Sequence, residues 1–168
     1  MTEIMTKTTE DLVMRLLNAV RGKRVFLCGN GGSAANAMHI ANDLVSVGVA
    51  AHPLVADVAT ITAIANDFGY MHIFDRQIQV FGQPGDTLIA LSGSGESLNI
   101  IRAINKAKAK GMTVFAIVGN FGKKTPKAAL LATHAIIGGD NMQEAEEYQI
   151  QVGHRLMILL KALNGGKK

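Results

Sequence analysis

Twice in this chain a short apolar run empties into a loop of glycine and small polar residues that opens a helical pattern. Arg24-Val25-Phe26-Leu27-Cys28 leads into Gly29-Asn30-Gly31-Gly32-Ser33, and Thr87-Leu88-Ile89-Ala90-Leu91 leads into Ser92-Gly93-Ser94-Gly95-Glu96-Ser97. Runs without polar alternation, separated by helices, belong to strands buried on both faces, which restricts the fold to a mostly parallel sheet covered by helices. Ligands of such sheets sit beyond the carboxyl ends of the strands, where both loops fall. Bare backbone N–H groups, free hydroxyls and the positive end of a helix dipole suit a phosphate. The pair of loops therefore points to a phosphorylated ligand held between them.

The 168 residues suffice for one domain with a proper core, here expected to span residues 1–168. An N-terminal helix is expected over about 8–20, from the apolar spacing of Leu12, Val13, Leu16, Leu17 and Val20. The sheet core follows over about 24–138 and a long helix over about 142–163. Within the core the expected order is a strand at 24–28, a helix at 33–45 and a short strand near 53–56. Helical stretches follow near 60–65 and 71–81, then a strand at 87–91. A helix at 97–110 capped by Gly111 and strands at 112–118 and 133–137 complete it. The fold class is α/β, a three-layer αβα sandwich.

Composition removes several functions. Hydrophobic residues make up 48% and charged residues 18%, the balance of a folded chain, not a disordered one. The formal charge of +4 suits anionic ligands, but outside Lys106, Lys108 and Lys110 the basic residues are scattered. There is no Trp, and two Tyr offer little stacking surface, so nucleic acid is not expected as a partner. No apolar run reaches the roughly 18 residues of a membrane span. The opening Met1–Lys7 lacks a basic segment followed by an apolar one, and a lone Cys28 forms no internal disulfide. A reducing cytoplasm is the expected setting, with Gly165–Lys168 read as a frayed tail.

His39 and Asp43 stand four apart on the helix opened by the first loop and share one face. They could reach one metal, one could orient the other as a proton carrier, or they could form a plain surface hydrogen bond. On the final helix, Glu147 and His154 differ by about 20° in direction, whereas Glu146 is offset by about 80°. The two glutamates read by themselves as an acidic, solvated first turn. His154, among Val152, Leu156, Met157 and Leu159, is either a satisfied core histidine or a working one. Asn66-Asp67 reads as a turn whose side chains could also hold sugar hydroxyls. His52, His72 and His134 lack partners at useful spacing and are expected to be structural. Cys28 faces the core and is not expected to act as a nucleophile. Neither serine loop matches a hydrolase elbow.

The runs Gly29–Ala35, Ala37–Ala41, Thr62–Tyr70, Gly85-Asp86, Ser92–Ser97 and Ala107–Met112, closed by the helix carrying His154, resemble the sugar isomerase (SIS) domain family. Within it they resemble the sedoheptulose 7-phosphate isomerases (phosphoheptose isomerases), over nearly the whole chain. The resemblance implies a five-stranded parallel sheet between helices and a homotetramer with active sites at subunit interfaces. It implies phosphate binding by Ser92, Ser94 and Ser97, and sugar contacts from the Asn30–Gly31–Ser33 loop and from Asn66 and Asp67. It also implies a divalent metal, zinc in some members, on His39, Asp43, Glu146 and His154, with proton transfer by Asp43 and His154.

This chain departs from the family at four positions. Asp43 is one methylene shorter than the usual Glu, and Glu146 replaces a neutral Gln. Gly93 lacks a hydroxyl, commonly that of Thr, and Asn36 stands where Asp is frequent. The resemblance implies an aldose–ketose isomerase of heptose biosynthesis that converts sedoheptulose 7-phosphate to a manno-heptose 7-phosphate through an enediol. The alternatives are an isomerase of another sugar phosphate, or a non-catalytic phosphosugar-binding regulator like the replication-initiation regulator that shares this fold.

Overall fold

The computed structural model describes residues 7–122 and 124–165; the Met1–Thr6 start and the Gly166–Lys168 end, on which two expectations fell, lie outside them. Its frame is a five-stranded sheet of β1 (Arg24–Cys28), β2 (Ala50–Pro53), β3 (Thr87–Ser92), β4 (Thr113–Val118) and β5 (His134–Ile137). The spatial order is β2-β1-β3-β4-β5 and every pairing is parallel.

Alternate residues of the strands feed two cores, one on each face. Val25, Leu27, Ile89, Leu91, Phe115 and Ile117 pack under α1 (Lys7–Val20), α2 (Gly32–Ser46) and α7 (Met142–Leu163). Phe26, Cys28, Leu88, Ala90, Val114 and Ala116 pack under α4 (Asp75–Phe81), α5 (Leu98–Ala109) and α6 (Lys127–Leu131). The remaining helix, α3 (Val58–Phe68), has no buried residue and touches this second core only through Ile61, Ile64 and Ala65. Among the described residues, no helix is long and apolar enough to cross a membrane.

The chain steps outward from β1 to β2, then returns past β1 to β3. This reversal makes the β1–β3 junction the topological switch point, the usual ligand crevice of an open parallel sheet. Cys28 pairs with Ala90 in that register, so the loops leaving β1 and β3 emerge side by side. One loop precedes α2 and the other precedes α5.

Three expectations need correction. The second strand occupies Ala50–Pro53, not 53–56: it is a partly exposed edge strand, and the buried Leu54 that follows it donates its N–H to the Leu27 carbonyl as the chain leaves the sheet. The stretch 71–81 divides into a 3-10 turn at Tyr70–His72 and the helix α4. Asn66-Asp67 is helical, in the last turn of α3, because the helix runs on to Gly69, whose φ of +91 ends it with its N–H on the Ala65 carbonyl. The short α6 carried no sequence signal.

Candidate functional site

The second loop is braced by its own hydroxyls. Ser92 Oγ accepts the Gly95 N–H at 3.0 Å, and Ser94 Oγ accepts the Glu96 N–H at 3.2 Å. Each hydroxyl keeps its own O–H for a ligand. Gly95 turns with φ +69, and its carbonyl accepts the Ala128 N–H, while Glu96 accepts the Lys127 N–H at 2.8 Å. Ser97 occupies the cap position of α5 without a side-chain capping bond, so its hydroxyl and the first turn of α5 remain available. The space a side chain would take at Gly93 is filled by the Met142 thioether, with Phe121 alongside.

Asn30 and Asn99 fasten the two loops together. Asn30 Nδ2 donates to Asn99 Oδ1 at 2.9 Å, Asn99 Nδ2 donates back to Asn30 Oδ1 at 2.8 Å, and the Tyr70 hydroxyl adds a third bond to Asn30 Oδ1 at 3.0 Å. Asn30, expected to touch a sugar, thus spends much of its amide on this tie. Asn99, 3% exposed, was not anticipated. A polar residue inside a helical pattern gives no sign that it will meet another loop.

Ser33 is likewise turned inward. Its hydroxyl accepts from the buried Gln149 of α7 at 3.1 Å, and Asn36 donates to Gln149 Oε1 and to the Glu146 carbonyl, both at 2.9 Å. Asn66 and Asp67 are exposed and hydrogen-bonded to each other at 2.9 Å. Gly31 is exposed at the mouth of the first loop.

Further along the same helix pair lies a second polar centre. A Cβ at Gly153 would collide with the Ile40 side chain, so this glycine lets α7 press closely on α2. The neighbouring His154 then meets His39 and Asp43. His39 Nε2 and His154 Nε2 are 2.9 Å apart, and Asp43 Oδ2 lies 3.5 Å from the first and 3.7 Å from the second. A circle through these three atoms has a radius of about 2.0 Å, the length of a zinc–imidazole bond. Asp43 Oδ2 is buried with no hydrogen-bond partner, whereas both imidazoles are about half exposed, at 49% and 46%. An orphaned carboxylate oxygen facing two imidazole nitrogens is a donor set that fits a divalent cation.

Glu146 does not join this group. It precedes His154 by eight residues, roughly 12 Å along a helix, and its carboxylate lies against Gly32 at the first loop. Within one chain the converging set is His39, Asp43 and His154.

His72, expected to lack a partner, has one: its Nδ1 lies 3.2 Å from both oxygens of the buried Asp75, which also accepts from Arg102 Nε at 3.0 Å. His52 packs edge-on against Phe26 and Phe81, and His134 tilts against Phe115. Complete burial of Cys28 pushes its thiol well above the usual range, leaving no nucleophile there.

The pattern for the SIS domain matches residues 6–119. A phosphoheptose isomerase from Sulfurimonas denitrificans is 41% identical over 145 residues, spanning 83% of this chain and 73% of that protein. Another from Rhodospirillum rubrum is 37% identical over 146 residues, 83% of this chain and 77% of the relative. Among solved structures, phosphoheptose isomerase GmhA from Neisseria gonorrhoeae superposes with a TM-score of 0.85 at 30% identity, covering 95% of this chain and 88% of that one.

Proposed function

Since the chain belongs to the SIS domain family, and within it to the phosphoheptose isomerases, we propose that it isomerises sedoheptulose 7-phosphate to a manno-heptose 7-phosphate. The observation that carries this reading is the convergence of His39, Asp43 and His154 in a fold that also keeps an open serine loop. A phosphosugar-binding regulator needs the loop and has no use for the convergence.

In this reading Ser92, Ser94 and Ser97 and the first turn of α5 hold the phosphate. The first loop, with Asn30, Gly31 and Ser33, forms the wall beside it, and Asn66 and Asp67 border the sugar. Isomerisation moves a proton between neighbouring carbons through an enediol, so it needs a base, a proton donor at the carbonyl oxygen, and stabilisation of the developing anion. Asp43 and His154 serve the proton transfers. With His39 they would hold a divalent cation, such as zinc, which would polarise the carbonyl. A cation held by Asp43 Oδ2 and His154 Nε2 would take up the lone pairs that proton transfer uses, so the two roles belong to different moments of the cycle.

His39 follows Gly32 by seven residues, roughly 10 Å along α2, so the proton-transfer group stands apart from the loops within a chain. Both imidazoles open outward, and α3 presents Val58 at 70% and Phe68 at 47% exposure. These features support assembly as a homotetramer in which neighbouring chains complete each active site. The single buried cysteine fits a cytoplasmic enzyme.

The experiment is incubation with sedoheptulose 7-phosphate, with product followed in wild type and in His154→Ala. Turnover that depends on His154 supports the proposal. Tight phosphosugar binding without turnover favours the regulator.

A further inference from the structure

The group of His72, Asp75 and Arg102 lies outside the site yet connects to it at both ends. Asp75 stands in the first turn of α4 and is 5% exposed within the chain itself, so no neighbouring subunit is needed to bury it. Its carboxylate meets two elements at once: His72 Nδ1 lies 3.2 Å from both oxygens, and Arg102 Nε of α5 donates at 3.0 Å. A buried carboxylate is tolerated only when donors meet its oxygens, which holds these three side chains to one arrangement.

Each partner leads back to the first loop. Arg102 follows Asn99 by three residues, one turn along the same face of α5, and Asn99 grips the Asn30 amide at 2.9 and 2.8 Å. His72 ends the 3-10 turn that Tyr70 begins, and the Tyr70 hydroxyl donates to Asn30 Oδ1 at 3.0 Å. The contacts close a ring that runs from Asn30 through Asn99, Arg102, Asp75, His72 and Tyr70 back to Asn30. Tyr70 is itself 57% exposed, so its own packing does little to hold it in place.

We propose that Asp75 is a positioning residue for the first glycine loop, tying the Tyr70–His72 turn to α5 so that Tyr70 and Asn99 together fix the Asn30 amide. With two donors on Oδ1 the amide cannot turn over, and the second Nδ2 hydrogen keeps one direction for a ligand hydroxyl. Asp75 touches no ligand in this role and acts through Tyr70 and Asn99. Its bearing on turnover rests on the isomerase reading, whereas the tether of Tyr70 does not.

The chain has two tyrosines and no tryptophan, so Tyr148→Phe leaves Tyr70 as the sole emitter. Time-resolved tyrosine anisotropy of the intact assembled protein in that background reads how firmly Tyr70 is held. The parent should show little fast local depolarisation. Asp75→Ala should add a clear sub-nanosecond component, and Asp75→Asn, which keeps an oxygen acceptor, should restore part of the rigidity. Ile78→Val, a buried change on the same helix, controls for lost stability alone and should leave Tyr70 immobile. Tyr70 that stays immobile in Asp75→Ala, held by a neighbouring chain or otherwise, would overturn the proposal, as would equal release by Ile78→Val. In turnover of sedoheptulose 7-phosphate, Asp75→Ala and Tyr70→Phe should each raise KM about tenfold with kcat within about threefold, and the double variant should be no worse than either. Additive losses, or a fall in kcat alone, would also overturn it. Absence of turnover in the parent removes the isomerase reading, and the anisotropy then decides the tether by itself.

Discussion

His39 Nε2 and His154 Nε2 approach to 2.9 Å across two helices that lie side by side. Two neutral imidazoles can share a proton at that distance, but Asp43 Oδ2, buried beside them without a partner, is then left unsatisfied. A divalent cation resolves both demands. Zinc at a hundredfold excess over its dissociation constant should stabilise the wild type by about 2.7 kcal/mol, raising the melting temperature by roughly 5–10 °C. His39→Ala and His154→Ala should lose most of that rise in a thermal melt, and chelation should reverse it in wild type. An equal zinc-induced rise in all three proteins would place the ion elsewhere.

The close approach of the helices rests on Gly153. Gly153→Ala drives a methyl group into Ile40 and should destabilise the fold by about 1–3 kcal/mol, measured by urea unfolding. It should also weaken zinc binding, because separating α2 from α7 separates His39 from His154. Ile40→Ala on the Gly153→Ala background removes the Cγ1 and Cδ1 that the new methyl meets and should recover zinc binding.

The tie between the loops gives a third expectation. Asn99→Ala removes both reciprocal bonds and leaves the Asn30 amide with Tyr70 as its partner across the loops. A loss of about 1–3 kcal/mol in stability should accompany a KM for the sugar phosphate raised about tenfold, with kcat changed less. A lowered kcat at constant KM would mean that Asn99 serves the chemical step instead.

Asp57 offers a test by pH. Hydrogen bonds from the Thr60 hydroxyl and then the Thr60 amide hold its carboxyl below the usual range. A depressed carboxyl contributes stability above its ordinary value and loses it as pH falls through the lowered one. Asp57→Asn should therefore flatten the acid limb of the stability profile in a pH series of thermal melts. An unchanged acid limb would show that the cap at α3 contributes nothing there.

The strands of the sheet interior were legible because burial on both faces leaves an apolar run with little else to become. The long helix expected over 142–163 occupies Met142–Leu163, with Asn141 capping its start by accepting the Glu144 N–H. The edge strand was misplaced because its residues alternate between exposed and half-buried, so Ala50–Pro53 shows no continuous apolar run. At the site, the four-residue spacing of His39 and Asp43 foretold a shared face. Their meeting with His154 depends on a glycine contact 113 residues away that no local pattern displays. Asn99 and Gln149 were invisible for the same reason: a buried amide announces its partner only once two distant elements are packed. Glu146 was grouped with the metal ligands by resemblance, although eight residues of helix, roughly 12 Å, separate it from His154 in one chain.

The measurement that bears most directly on the central claim is the conversion of sedoheptulose 7-phosphate to an aldose 7-phosphate, followed with and without chelator in wild type, Asp43→Asn and His154→Ala. The account expects turnover in wild type, a fall of about 10²- to 10⁴-fold in either variant, and loss on chelation that zinc restores. Wild-type protein that binds the sugar phosphate and never converts it, or variants that convert it as fast as wild type, would contradict it.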